Sequence, residues 1–255
     1  MNNVNLQDLL SSISIEADWI GLRKVKEATT HRYIRDGQPQ ANSRDVTHGL
    51  MVEVLVNGQF GYYGINSFDP KLVSIAAEKA QKQAKLASKH ALYKFDEKAR
   101  PSFQGEYTSP REKPLNSISP GDLNNLLLQI NDALKVSNEV ISVSALARIV
   151  ETKQEIVSSN GSDINQDFNL ITFDMSATAS DGTIFQTRTN AGSRGYSRQV
   201  GSEVFENTED IIQTARTIGE EAVELVKSEE CPTEVMDLVL APDQMMLQIH
   251  ESVGH

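Results

Sequence analysis

Apolar and polar positions alternate along two separate stretches of the chain, and this alternation predicts two groups of β-strands. The predicted strands of the first stretch cover residues 19–26, 31–35, 50–56 and 59–65. Those of the second stretch cover residues 140–149, 153–158, 167–179 and 183–191. Asp36-Gly37 and Asn57-Gly58 separate extended runs of the first stretch, where such pairs favour hairpin turns. Residues 17–66 are therefore predicted to form an antiparallel meander.

Helical periodicity, with an apolar residue every three or four positions, flanks both groups of strands. The clearest helix begins at Pro70, with Asp69 as its N-cap, and carries an alanine-rich stripe to about Ser88. Further helices are predicted at residues 4–13, 120–136, 207–227 and 244–255. A short apolar run at 235–240 predicts a strand immediately before the last helix.

The polar stretch at residues 94–119 contains three prolines and is predicted to be a linker or a surface excursion. It separates an amino-terminal unit, residues 1–93, from a second unit, residues 120–255. The pattern as a whole predicts an α+β fold. Antiparallel β-meanders pack with long helices, and the chain closes on a strand, a turn and a helix.

Composition and charge exclude several classes of function. The chain has 255 residues and a formal net charge of −11, which argues against a nucleic-acid surface because such a surface needs a basic patch. No apolar run is long enough to predict a membrane span, and the first residues lack the features of a signal peptide. Cys231 is the single cysteine, so no disulfide can form within the chain, and we expect a cytoplasmic location.

Residues 250–255, HESVGH, are the candidate chemical site. Neutral imidazoles are good zinc ligands, and a carboxylate beside a metal-bound water is a good general base. His250 and His255 are therefore the candidate metal ligands and Glu251 the candidate catalytic base. The alternative is that all three are ordinary surface residues of a helix. Zinc enzymes usually have a third protein ligand, which we expect beyond His255.

The spacing of the two histidines makes a geometric prediction. Five residues on a regular α-helix turn by about 500°, which would place the two rings roughly 140° apart. A π-helical turn, or an unwinding at Gly254, would bring them onto one site. The sequence therefore predicts a distorted helix at residues 250–255.

The carboxy-terminal sequence DLVLAPDQMMLQIHESVGH, residues 237–255, resembles the strand, turn and HExxxH helix of the TldD/PmbA family of zinc-dependent proteases. The glycine-rich sequence at 36–69 and the segment NAGSRGY at 190–196 resemble the family as well. His250 and His255 match the family's metal-ligand histidines and Glu251 its catalytic glutamate. Ser252 stands where alanine is common in the family.

The resemblance implies cleavage of peptides or unfolded polypeptides by zinc-activated water. It also implies a dimer, either of two identical subunits or with a family member that lacks the motif. Family members are about twice this length, and their third zinc ligand is a cysteine far downstream of the motif. Cys231 lies upstream and does not match it, so the chain is predicted to be an inactive amino-terminal part of such a protease. The alternative function is a non-catalytic dimerisation or peptide-binding module with a vestigial motif.

Overall fold

The computed structural model describes residues 5–192 and 196–255, which form a large sheet and five α-helices. The sheet order is β3-β2-β1-β5-β6-β4, and β7 and β8 also pair with β6. The strands are β1 (Trp19–Arg35), β2 (Gln38–Val56), β3 (Gln59–Ile65), β4 (Gln104–Thr108), β5 (Val140–Ser158), β6 (Asp163–Ser180), β7 (Phe185–Thr189) and β8 (Ser197–Arg198). The helices are α1 (Leu6–Ser11), α2 (Pro70–Ala87), α3 (Pro120–Leu134), α4 (Thr208–Lys227) and α5 (Pro242–Ile249). The predicted α+β fold is confirmed.

Several strands are longer than the sequence pattern predicts. The runs 19–26 and 31–35 belong to one strand, β1, and the runs 140–149 and 153–158 belong to β5. Strand β2 begins at Gln38, twelve residues before the predicted start. The extra residues are mostly polar and weaken the alternation. Backbone pairing with neighbouring strands nevertheless continues through them, because ladder hydrogen bonds do not depend on side-chain polarity.

The two predicted hairpin turns of the first stretch are confirmed. Asp36 and Asn57 have φ values of 50° and 54°, and each is followed by a glycine with positive φ. Two successive residues of positive φ are the requirement of a type I′ turn, whose twist matches that of the flanking strands. The capping of α2 is confirmed as well, since the Asp69 side chain accepts a hydrogen bond from the Lys71 N–H at 2.8 Å.

One prediction of secondary structure is wrong. The predicted strand at 235–240 is absent, and large side chains there are exposed, Val239 to 94%. No described strand pairs with this run, and apolar sequence without a pairing partner does not make a strand. The polar stretch 94–119 contains β4, a strand that was not predicted and that pairs in parallel with the start of β6; the interpretation of this stretch as a linker or surface excursion stays a prediction. The residues of β4 are mostly exposed, so their sequence carries no alternating signal.

The described chain divides into two compact units, each assembled from three separate segments. The first unit comprises Met1–Thr29, Asp45–Ser109 and Val150–Asn169. The second comprises Thr30–Arg44, Pro110–Ile149 and Leu170–His255. The division predicted at residues 93 and 119 stays a prediction about domain organisation.

The core of the first unit lies between helix α2 and one face of the sheet. The helix turns its alanine stripe, with Ala76, Ala80 and Ala84 fully buried, toward strand β3. At Gly61 the two backbones come so close that an added Cβ would lie 2.0 Å from the Ala80 carbonyl oxygen. Small residues on both partners therefore set the distance between helix and sheet.

The core of the second unit is built by α3 and α4 against buried residues of β5 and β6. Its largest fully buried side chains include Leu127, Ile130 and Ile171. Asn131 is a buried polar residue of α3, and both its side-chain nitrogen and its side-chain oxygen have a partner. It donates to the Leu127 carbonyl at 3.1 Å and accepts from the Gly37 N–H at 3.2 Å, which ties the first hairpin turn to the helix.

The close approach at Gly61 generates a test with a matched control in the same strand. We expect Gly61→Ala to lower the free energy of unfolding by about 1–3 kcal/mol, because the new methyl group meets rigid helix backbone. Gly64→Ala adds the same group where the nearest atom is the Met51 Cε at 3.7 Å, so we expect a change within about 0.5 kcal/mol. Urea unfolding of both variants measures the difference, and equal losses would contradict the packing argument.

Candidate metal centre

The candidate site lies on the last helical segment. Helix α5 begins with Pro242 at its first turn, which suits the fixed φ of proline, and runs to Ile249. Residues His250–Gly254 then form a π-helical turn. The predicted helix at 244–255 is thus confirmed in its position, and the predicted departure from α-geometry at residues 250–255 is present.

The π-helical turn brings the two imidazoles together. In this geometry the hydrogen bond joins residues i and i+5, so side chains five positions apart lie on the same side. The Nε2 atoms of His250 and His255 are 3.0 Å apart, and the ring centroids are 4.6 Å apart at an interplanar angle of 79°. A regular α-helix would have pointed these rings in different directions.

The separation of the two nitrogens can be compared with that required by a shared cation. Two nitrogen ligands at about 2.0–2.1 Å from a tetrahedral zinc ion lie about 3.3 Å apart. The 3.0 Å between the Nε2 atoms is within a few tenths of an ångström of this value. The separation of the two nitrogens is therefore close to that of two ligands of a tetrahedral site.

Glu251 lies next to this pair without forming part of it. Its Oε1 atom is 4.0 Å from the His250 Nε2 atom, and its side chain is 64% exposed. A carboxylate at this distance can hydrogen-bond to a water held near the imidazoles. The Ser252 hydroxyl accepts a hydrogen bond from the Gln248 side-chain amide at 2.7 Å, which links the π-helical turn to α5.

The part of the chain that the structure describes holds no group of three or more His, Cys, Asp or Glu side chains suited to a metal ion. His31, His48 and His90 join no such group, and neither does Cys231, which is exposed and free. The two imidazoles of the motif are thus a pair without a third protein ligand among the described residues. The His250 side chain is also 58% exposed, so water reaches the pair freely.

None of the helices in the described ranges is long and apolar enough to cross a bilayer. The segment NAGSRGY is only partly described, because residues 193–195 lie outside the described ranges. The same holds for residue 4, the predicted start of the first helix.

Two sequence models of one family match this chain. The model of PmbA/TldA metallopeptidase domain 1 matches residues 22–84, and that of the PmbA/TldA metallopeptidase central domain matches residues 113–228. Together they account for more than two thirds of the chain. Neither matched range includes residues 250–255.

Curated relatives match over almost the whole chain. A metalloprotease of Methanothermobacter thermautotrophicus is 26% identical over 251 residues, covering 98% of this chain and 52% of the relative. A metalloprotease of Synechocystis is 25% identical over 260 residues, covering 99% of this chain and 52% of the relative. The chain thus spans about half the length of the curated relatives it matches.

Solved structures share the fold at low sequence identity. A proposed modulator of DNA gyrase from Thermotoga maritima aligns with a TM-score of 0.61 at 15% identity, over 84% of this chain and 46% of that chain. TldE from Thermococcus kodakarensis aligns with a TM-score of 0.52 at 17% identity, over 87% of this chain and 47% of that chain. With both family models matched in order along the sequence, this chain belongs to the TldD/PmbA family of metallopeptidases.

Proposed function

We propose that this chain is the amino-terminal part of a zinc-dependent peptidase in which residues 250–255 supply part of the active site. One observation carries the proposal. A π-helical turn brings the Nε2 atoms of His250 and His255 to 3.0 Å from each other, with the Glu251 carboxylate beside them. Membership of a metallopeptidase family supports the same chemistry.

His250 and His255 would hold the metal through their Nε2 atoms. We propose zinc because imidazole nitrogens are common ligands of this ion, and the 3.0 Å between the two Nε2 atoms is close to the spacing of two tetrahedral ligands. When bound, zinc supplies Lewis-acid chemistry that polarises a peptide carbonyl and lowers the pKa of water. The third protein ligand would come from residues outside this chain, since the described residues offer only two.

Glu251 is the proposed general base. Its carboxylate would accept the proton of the attacking water at a side-chain oxygen and then pass a proton to the leaving amine. The Glu251 side chain is 64% exposed, so water and substrate can reach its carboxylate. The proposed substrates are peptides or unfolded polypeptides, whose scissile bonds can reach the site in an extended conformation.

The proposed assembly and location, like the proposed substrates, rest on the similarity of this chain to the TldD/PmbA family. We expect the full-length protein to work in the cytoplasm as a dimer, either of two identical subunits or with a family member that lacks the motif. One of the solved structures that share the fold of this chain is that of TldE. The competing function is a non-catalytic dimerisation or peptide-binding module, which the absence of a third ligand among the described residues would suit.

The two-ligand pair predicts weak zinc binding by this chain. We expect zinc to be retained well below one equivalent after exhaustive dialysis, because two exposed ligands hold the ion less firmly than three. His250→Ala and His255→Ala should each remove the residual binding, and His90→Ala, which changes an exposed histidine elsewhere, should leave it unchanged. Elemental analysis measures the amount of zinc that is retained, and competition with a chromogenic chelator measures the affinity of the residual binding. Tight binding of one equivalent would show that the chain contains a third ligand.

The role of Glu251 predicts a specific loss of activity in the full-length protein. We expect Glu251→Gln to lower kcat/KM for peptide cleavage by about 10²–10⁴-fold, because a general base is removed while the metal ligands stay. Zinc content should stay at the wild-type value. Glu229→Gln, at another exposed carboxylate, is the matched control and should retain full activity. Equal kcat/KM for wild type and Glu251→Gln would rule out the mechanism. A full-length protein that binds peptides without cleaving them would support the non-catalytic module.

A further inference from the structure

A cavity of about 380 Å³ lies in the first unit, on the face of the sheet turned away from helix α2. The register of β2 and β3 fixes this orientation. Gly61 faces the helix, so its neighbour Tyr62 points to the opposite face, as does Glu53, the residue paired with Tyr62. The volume is at the lower end of the range of about 300–1,000 Å³ for ligand sites, which suits a small group better than a long segment.

The lining of this cavity is mostly apolar. Trp19, Met51, Ile156 and Ile164 contribute its apolar surface. The Trp19 indole lies over Gly21, where an added Cβ would be 2.2 Å from the ring, so the glycine leaves the space that the indole occupies. The ring also packs edge-on against Phe60 at a centroid distance of 6.3 Å. Such a surface favours an aliphatic or aromatic group.

A hydrogen-bond network holds the walls in place. The Trp19 Nε1–H donates to the Asn160 side-chain oxygen at 3.0 Å, and the Asn160 side-chain amide donates to the Arg100 carbonyl at 2.8 Å. The Ser158 hydroxyl donates to the same Asn160 oxygen at 2.6 Å. Because these groups are already paired, the cavity needs little ordering on binding, and pre-organisation favours affinity.

Most of the charged groups that line the cavity are already paired with one another. Arg100 donates two hydrogen bonds to Glu53 Oε1, at 2.6 and 3.1 Å, and its guanidinium lies 4.6 Å from the centroid of the Phe60 ring. Burial raises the pKa of Tyr62, and the neighbouring Glu53 carboxylate raises it further, so this phenol is neutral. The pair and the phenol therefore leave no net charge to attract a ligand.

Arg23 is the exception among these groups. It lines the cavity, it is exposed, and no hydrogen bond or ion pair within the described residues occupies its guanidinium. The cavity thus combines an apolar surface with one uncommitted cation, in a chain whose formal net charge is −11. A planar guanidinium binds a carboxylate through two parallel hydrogen bonds.

We propose that this cavity binds an apolar group that carries a carboxylate, as at the carboxy-terminal residue of a peptide. The apolar group would lie among Trp19, Met51 and Ile156, and the carboxylate would pair with Arg23. A singly charged carboxylate matches the one uncommitted charge of Arg23, whereas a doubly charged anion such as phosphate would leave excess negative charge in a mostly apolar lining. This binding site goes beyond the proposed peptidase function and needs no metal.

Trp19 is the single tryptophan of the chain and lies in the cavity, so its fluorescence reports occupancy directly. We would titrate this chain with acetyl-Gly-Gly-Leu as the free acid, with its carboxy-terminal amide, and with octanoate. We expect saturable binding of the acid and binding of the amide that is about tenfold or more weaker, because the amide loses a charge-assisted pair. Octanoate should bind more weakly than the peptide acid.

Arg23→Gln should lower the affinity for the peptide acid to that for the amide. Lys26→Gln removes the same charge from the same strand outside the cavity lining and should bind the acid like wild type. Equal binding of acid and amide, or an unchanged affinity in Arg23→Gln, would overturn the proposal. Octanoate that binds as tightly as the peptide would overturn the peptide as the source of the carboxylate. Fluorescence that responds to no ligand, together with no heat in calorimetry, would overturn the site itself.

Discussion

The close approach of helix α2 to strand β3 at Gly61 sets the layout of the first unit. The helix covers one face of the sheet with alanines, and the glycine allows its backbone to reach the strand. One face is thereby covered by a close-packed contact. Side chains that alternate with the covered ones must point to the other face, where Trp19, Glu53 and Tyr62 meet. The same register that builds the core therefore also builds the cavity.

Features that depend on a few neighbouring residues could be predicted from the sequence. The turns at Asp36-Gly37 and Asn57-Gly58 are examples, since positive φ is a property of two residues. The cap at Asp69 and the distortion of the helix after Ile249 are others. The cap needs only Lys71, and two histidines five residues apart can face one site only where the helix departs from α-geometry. Each of these is settled within about one turn of chain.

Features that depend on distant residues could not be predicted in this way. Strand β4 exists because it pairs with β6, which begins about 55 residues later, and its own residues are exposed and polar. The run 235–240 is the opposite case. Its residues are apolar, but it forms no strand because no described strand pairs with it. The cavity shows the same limit. Arg23, Glu53 and Arg100 come from three separate parts of the chain, and no sequence motif joins them.

At the candidate metal centre, the geometry of the two imidazole ligands and the affinity for a metal ion have different origins. The π-helical turn brings two imidazole nitrogens to 3.0 Å using only local backbone hydrogen bonding, so five intervening peptide bonds encode the geometry. Affinity has other sources, namely the number of ligands and the exclusion of water, and the His250 side chain is 58% exposed. A short sequence can therefore prepare the pair, whereas tight binding and catalysis require further residues that complete the coordination and cover the site. This is why a motif of six residues can indicate a metal site without being sufficient for one.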